Sequence, residues 1–232
     1  SVFNEWNQGE LDSFLIEITG HILAHKDDDG TPLVDKILDA AGQKGTGKWS
    51  VIEAQMMGVP ATAIEAAVAA RSLSAFRQER GNAEKAYESV PVKTKLKGRA
   101  ALVKELELAL FAGKIAAYSQ GFAVMGAASK EFGWNLPMGT IAKIWRAGCI
   151  IRSQFLGTIT EAFTEDQTLP NLLVAPKFID MMSEAQSPLR SVASQAALAG
   201  LPMPALFSAL SYFDSYRQAR GTANLIQAQR DF

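Results

Sequence analysis

Cysteine is almost missing from this chain: its 232 residues hold one, Cys149. No internal disulfide framework can form, which fits a reducing compartment. Histidine is nearly as scarce, with only His21 and His25, and this leaves little material for imidazole chemistry or a metal cluster. An excess of either charge is lacking too. Lys and Arg number 23 against 24 Asp and Glu, for a net charge of -1, so nothing draws the chain generally to nucleic acid or an anionic membrane. No apolar run reads as long enough to cross a membrane, and the N-terminus is acidic where a signal peptide would be basic. Ser1-Val2-Phe3 carries no initiator methionine and Arg230-Asp231-Phe232 stops inside a helical run, so both ends read as cut. Strand-like alternation is not sustained anywhere. A cytoplasmic, all-α chain remains, and with 48% apolar residues it can bury a large core.

What is present is helical periodicity. Trp6, Leu11, Phe14, Leu15, Ile18, Ile22 and Leu23 follow the three-and-four spacing of one helix face. Val34 to Ala41 reads as a short helix. Pro60 can open a helix striped by Ile64, Val68, Leu73 and Phe76. The longest clean segment runs from about Arg99 to Phe132; Gly113, Gly121 and Gly126 inside it predict close packing against another helix. Pro137, Pro170, Pro176, Pro188 and Pro202 punctuate shorter helices beyond it. The charged stretch 77–99, with Lys93 and Lys95 among its cations, reads as a solvated connector, because only Tyr87 could stack on a base.

Gly42-Gln43-Lys44-Gly45-Thr46-Gly47-Lys48-Trp49 carries the clearest chemistry. Glycines bring backbone N–H groups close to a ligand, and Lys44 and Thr46 beside them suit phosphate or carboxylate. The stretch matches G-x-x-x-x-G-K, yet Trp49 stands where a nucleotide-binding loop needs Ser or Thr, and no buried strand precedes it. A non-nucleotide anion seat is favoured over a purely structural turn. Arg71, in Ala66-Ala67-Val68-Ala69-Ala70-Arg71, either pairs with an acid such as Glu65 or reaches a phosphate. His21 and His25 sit four apart, but no third ligand is placed, and no metal is predicted. Asp12 and Glu17 lie off a shared face and make no acid/base pair. Cys149 reads as a buried structural thiol and Lys114 as a solvated lysine on the long helix.

Ser50-Val51 with Gly58-Val59-Pro60 recurs as Ser191-Val192 with Gly200-Leu201-Pro202, and Trp6 with Gly9 recurs as Trp145 with Gly148. Near-constant offsets predict a duplicated unit, one copy around 3–80 and the other around 142–225. By that logic a long helix matching 99–132 should precede Ser1.

Four stretches, Leu11-Asp12-Ser13-Phe14-Leu15-Ile16-Glu17-Ile18-Thr19, the loop 42–49, Ile144-Trp145-Arg146-Ala147-Gly148-Cys149-Ile150-Ile151-Arg152-Ser153 and Asn224-Leu225-Ile226-Gln227-Ala228-Gln229-Arg230-Asp231, resemble the C-terminal half of decarboxylating 6-phosphogluconate dehydrogenases. The resemblance spans essentially the whole chain. It implies an all-helical, dimer-forming domain with an internal duplication, preceded in the family by a Rossmann domain that binds NADP. It implies oxidation of 6-phosphogluconate and loss of carbon dioxide to give ribulose 5-phosphate. By motif, Lys44, Thr46 and Arg71 should hold the substrate phosphate, and Arg230 should reach the partner subunit's site. The family's cofactor domain and its catalytic lysine and glutamate belong to the half before Ser1, as does the choice between NADP and NAD. A tail histidine beyond Arg230 is missing as well. No catalytic residue is therefore expected in this chain, Lys114 is a decoy, and the chain alone should be inactive. The alternative is an autonomous helical module for dimerisation or phospholigand binding; a nucleotide hydrolase is disfavoured.

Overall fold

A computed structural model of the chain describes residues 1–42, 44–88 and 96–232. Gln43 of the glycine loop, and Lys93 and Lys95 of the charged connector, lie outside them. The described residues form α1 (Val2–Trp6), α2 (Phe14–Ala24), α3 (Thr46–Met56), α4 (Thr62–Ser74), α5 (Arg77–Ala86), α6 (Arg99–Glu131), α7 (Met138–Trp145), α8 (Phe155–Glu165), α9 (Pro176–Leu198), α10 (Pro204–Tyr216) and α11 (Ala223–Asp231). Two 3-10 turns, Leu33–Lys36 and Leu172–Val174, complete the order. Among the described residues there is no strand, only isolated bridges. The fold is all-α, as the periodicity predicts.

Local chemistry explains where the elements depart from the sequence pattern. The face expected from Trp6 to Leu23 is split between α1 and α2, because Ser13 turns into a helix cap whose hydroxyl accepts from the Ile16 amide. Val34 to Ala41 forms only the short 3-10 turn. Pro60 stays outside α4, which starts two residues later. Pro188 does not end a helix: α9 runs through it for 23 residues, held on both sides by buried Ala185 and Leu189. Proline removes one ladder bond there, and tertiary packing overrides that loss.

The centre of the fold is α6. Ala112, Ile115 and Ala116 are fully buried, and the helix packs lengthwise on α9 with α10 and α4 against its flanks. The absence of a membrane-length apolar run does not hold. By length and composition α6 could span a bilayer, yet half of its most apolar stretch is buried inside the protein, as in a core helix. Gly113 meets the expected close packing, since a Cβ there would lie 2.5 Å from Leu206 Cδ2. Fully buried Gln120 does the work of a cap for α4: its Oε1 accepts from the Ala63 amide at 3.0 Å and its Nε2 donates to Thr62 Oγ1 at 3.3 Å. Phe155 fills the space between α6 and α9, edge-on to Phe111, Tyr118 and Phe178 at 5.8, 5.4 and 5.5 Å. Truncating such a residue to alanine costs about 3–5 kcal/mol.

Several elements recur at a near-constant spacing along the chain. Helices α2 and α8 have 11 residues each and start at 14 and 155; α4 and α10 have 13 each and start at 62 and 204. Gly58 (φ 65°) and Gly200 (φ 67°) end α3 and α9 in the same left-handed turn. At the junction, the Phe14 amide donates to Arg152 O at 3.1 Å and the Gln154 amide donates to Asp12 O at 3.2 Å. These two bonds are the same contact seen from either half. The mismatch lies in α9, 23 residues long against 11 in α3. Where α9 has its first half, the other half of the chain has the 3-10 turn and the glycine loop.

Candidate functional site

Gly45 sets the shape of the loop. Its φ of 133° with ψ of -59° is open to glycine and strained for any residue with a Cβ. The Trp49 ring folds over the same position, so that a Cβ would sit 3.0–3.2 Å from its ring carbons. The chain enters α3 at Thr46 with Gly45 as a cap that offers no side chain. The first-turn amides of Thr46, Gly47 and Lys48 precede the first ladder bond, from the Trp49 amide to Gly45 O at 2.8 Å. Such amides, at the positive end of the helix dipole, suit an anion. Lys44 and Thr46 flank them, both exposed. The Thr46 hydroxyl has no partner among the described residues.

Two residues that the sequence reading passed over fix the loop's entry. Ser74, at the end of α4, accepts the Ala41 amide at 2.9 Å and donates to Arg71 O at 2.7 Å. Arg80 of α5 clasps Asp39 Oδ2 at 2.8 Å and Ser74 O at 3.1 Å, and its guanidinium holds the Asp39 carboxyl below its ordinary pKa. The first residues of the loop are thus pinned one helical turn from Arg71. Arg71 itself is exposed. Of its two readings, the salt bridge to Glu65 is not formed: Glu65 Oε1 accepts from Gln55 Nε2 at 2.8 Å instead. Among the described residues the Arg71 guanidinium has no ion-pair partner. The segment that leads into the loop carrying Lys44 and Thr46 is therefore tied to the end of the helix that carries Arg71.

Arg230 is not brought to that face by this chain. From residue 215 onward every residue is exposed, and among the described residues Arg230 bonds to Gln227 alone, on its own helix, at 3.4 Å. The remaining candidates resolve as follows. Asp27 and Asp29, beside His25, are bridged by Lys36 Nζ at 2.5 and 2.6 Å, and the ammonium lowers the pKa of both, that of Asp29 to about 2. Among the described residues no three His, Cys, Asp or Glu side chains converge as metal ligands. Glu17 pairs with Arg152 across the junction of the halves. Cys149 is half-buried, not sealed in the core as expected, and follows Gly148 at a φ of 71°.

Lys114 corrects the reading of a solvated lysine. It is half-buried, donates to Ser153 Oγ at 2.5 Å and lies 5.3 Å from the Phe155 ring centre. Burial pulls its pKa down to about 8, against the opposing pull of Asp12 and Glu10. Helical periodicity alone could not reveal this, since Lys114 meets Ser153 only through the tertiary fold. The lysine faces a groove of about 830 Å³ whose walls are α6, α2 and α3, with Thr46 and Trp49 on its far side.

A family model described as 6-phosphogluconate dehydrogenase, C-terminal domain, matches residues 1–232. The chain is 52% identical over 232 residues to a decarboxylating 6-phosphogluconate dehydrogenase of Schizosaccharomyces pombe, covering 100% of this chain and 47% of that one. An NAD(+)-dependent, decarboxylating 6-phosphogluconate dehydrogenase of Bacillus subtilis is 47% identical over 233 residues, covering 100% of this chain and 50% of the relative. Among solved structures, the 6-phosphogluconate dehydrogenase of Plasmodium falciparum matches with a TM-score of 0.95 at 40% identity, over 100% of this chain and 50% of that one. That enzyme was determined in its apo form, with its cofactor NADP+ and with its substrate 6-phosphogluconate. The chain thus spans about half the length of the relatives it matches.

Proposed function

The chain belongs to the 6-phosphogluconate dehydrogenase C-terminal domain family, and we propose that it is the substrate-phosphate-holding, dimer-forming half of an enzyme that oxidises and decarboxylates 6-phosphogluconate to ribulose 5-phosphate. The observation that carries this reading is the glycine loop. The loop carries the first-turn amides of α3, the Thr46 hydroxyl and the Lys44 ammonium, and among the described residues neither that hydroxyl nor the Arg71 guanidinium has a partner. A phosphate dianion offers acceptors for each of these donors, and the planar guanidinium can grip two of its oxygens at once. Arg230, on an exposed terminal helix, is suited to reach the same phosphate in the partner subunit of a homodimer.

Hydride transfer belongs to the cofactor. Nothing in this chain fits a dinucleotide: among the described residues no strand leads into a glycine turn, and Trp49 follows the one G-x-x-x-x-G-K match. We assign NADP, with the selectivity against NAD, to the domain that precedes this one in the longer enzyme, and the catalytic acid and base with it. The chain's own residues bind and orient the substrate. The enzyme acts in the cytoplasm, with neither membrane nor nucleic acid as partner.

Lys44→Ala in the full-length enzyme tests the assignment. A lost charged hydrogen bond of about 1.5–3 kcal/mol raises KM for 6-phosphogluconate roughly 10- to 150-fold, with kcat changed far less. A KM equal to that of the unaltered enzyme overturns the site.

A further inference from the structure

Residues 38–42 lead into the glycine loop without a helix or strand of their own. A stretch with no ladder bonds is placed by its contacts with the rest of the fold. Among the described residues, the hydrogen bonds that join this one to another element all run to two side chains, Ser74 and Arg80. Ser74 Oγ accepts the Ala41 amide at 2.9 Å and donates to Arg71 O at 2.7 Å. Arg80 reaches Asp39 twice, Oδ2 from Nη2 at 2.8 Å and the main-chain O from Nη1 at 3.4 Å. The same Nη1 holds Ser74 O at 3.1 Å. These partners lie 33 and 41 positions apart in sequence, so the cluster forms only when α4, α5 and the loop entry are in place together.

Stability gives a weak reason for such a cluster. The Arg80 and Asp39 side chains are 41% and 80% exposed, and exposed ion pairs hold a fold together only slightly. Place in the chain gives a stronger reason. Ala41 stands three residues before Lys44, and Ser74 three residues after Arg71. The cluster therefore joins the two cationic arms proposed to hold the substrate phosphate. Arginine suits the junction, because its separate nitrogens bind acceptors from both segments in a fixed fork, which a single ammonium cannot do. Arg80 belongs to the charged stretch 77–99, and its contacts give one residue of that connector a task that composition does not reveal.

We propose that Arg80, with Asp39 and Ser74, is a positioning residue for the substrate phosphate: the three form a latch that sets the loop carrying Lys44 relative to the helix carrying Arg71 before substrate arrives. The proposal rests on the reading of Lys44 and Arg71 as phosphate ligands. Arg80 acts through them and not on the phosphate, since both of its terminal nitrogens are engaged by Asp39 and Ser74. With the latch closed, the loop entry is ordered before binding, and the phosphate contacts need not offset that ordering. With the latch open, residues 38–42 sample more conformations, and Lys44 meets the phosphate in only a fraction of them. The chemical step lies elsewhere, so the loss falls on KM and not on kcat.

Steady-state kinetics of the full-length enzyme test the latch. Arg80→Ala should raise KM for 6-phosphogluconate about fivefold, with kcat within about twofold of normal. Arg80→Lys, which keeps the charge but not the fork, should recover part of that loss. The decisive measurement is Arg80→Ala on a Lys44→Ala background. Residues that act through one another are non-additive, so there it should raise KM less than about twofold. An equal factor in both backgrounds, a fall in kcat at unchanged KM, or a lowered Tm with unchanged kinetics makes Arg80 a scaffold residue alone and overturns the proposal. Ser74→Ala removes the hydroxyl and leaves every charge; it should give the same pattern, and it decides the question if Arg80→Ala does not fold. Lys44→Ala by itself keeps the two readings apart. A normal KM there overturns the phosphate site and the latch with it, whereas a raised KM with no response to Arg80→Ala in the otherwise unaltered enzyme overturns the latch alone.

Discussion

Replacing Gly45 with alanine attacks the loop without removing any of its charges. At φ 133° and ψ -59° an alanine is strained by about 1–3 kcal/mol. Its new methyl also meets the Trp49 ring at 3.0–3.2 Å, closer than ordinary van der Waals contact. Two responses are open. If the loop keeps its shape, the full strain appears as lost stability. A domain of this size loses roughly 2–4 °C of Tm per kcal/mol, so the midpoint falls by about 2–12 °C. If the backbone relaxes toward negative φ, Trp49 swings away and the first-turn amides of α3 turn from their common focus. Stability then recovers while KM for 6-phosphogluconate rises, because pre-oriented donors are lost. Differential scanning calorimetry and steady-state kinetics on full-length Gly45→Ala read the two responses separately. A variant unchanged in both Tm and KM would refute the argument that this glycine shapes an anion seat.

Purified residues 1–232 should show no reduction of NADP with 6-phosphogluconate in an absorbance assay at 340 nm; activity would mean that the chain holds chemistry not seen here. Arg71→Lys should raise KM nearly as much as Arg71→Ala, since one ammonium cannot replace a two-point grip; wild-type KM for the lysine variant would remove Arg71 from the phosphate. Lys114 gives a pH signature. Its folded pKa, near 8, lies below the ordinary 10.5, so between those values the unfolded chain binds more protons and stability contributed by this group rises with pH. In urea titrations of this chain from pH 7.5 to 10, Lys114→Met should lose that rise, and parallel curves would contradict the burial of the ammonium. Subunit complementation tests Arg230. Lys44→Ala and Arg230→Ala enzymes, each impaired, should recover about a quarter of normal activity when dissociated and mixed. Half the dimers then carry both lesions in one site and leave the other intact. No recovery would place Arg230 in its own subunit's site or in none.

Much of the scaffold is legible in the sequence because it rests on local periodicity. The 99–132 segment shows its helix through Ala, Leu, Glu and Lys, and the observed α6 ends one residue earlier. The loop is legible for a similar reason: three glycines and two lysines in eight residues are chemistry written locally. What escapes the sequence is contact between distant segments. Nothing near Arg80 announces that it will clasp Asp39, nor anything near Gln120 that it will cap α4 from 57 positions away. Pro188 misleads because propensity is a local argument, while burial of Ala185 and Leu189 on α6 decides that helix. Cys149 and Lys114 were misplaced in opposite directions for the same cause. An apolar neighbourhood in sequence does not bury a thiol, and a lone lysine does not guarantee solvent.

The recurring elements of the two halves also bear on where the proposed anion seat lies. If a duplicated unit builds the scaffold, most of its positions are bound to serve packing twice, as α2 with α8 and α4 with α10 do. A binding site needs a place released from that duty. The stretch opposite the first half of α9 is such a place: there the helix is replaced by a turn and a glycine loop, and α3 begins at Thr46 with its amides open. In α9 the equivalent positions, around Pro188, fall in mid-helix, because Phe178, Met182 and Ala185 begin the helix well before them and bury it in the core. Shortening one helix by about three turns thus frees a positive helix end.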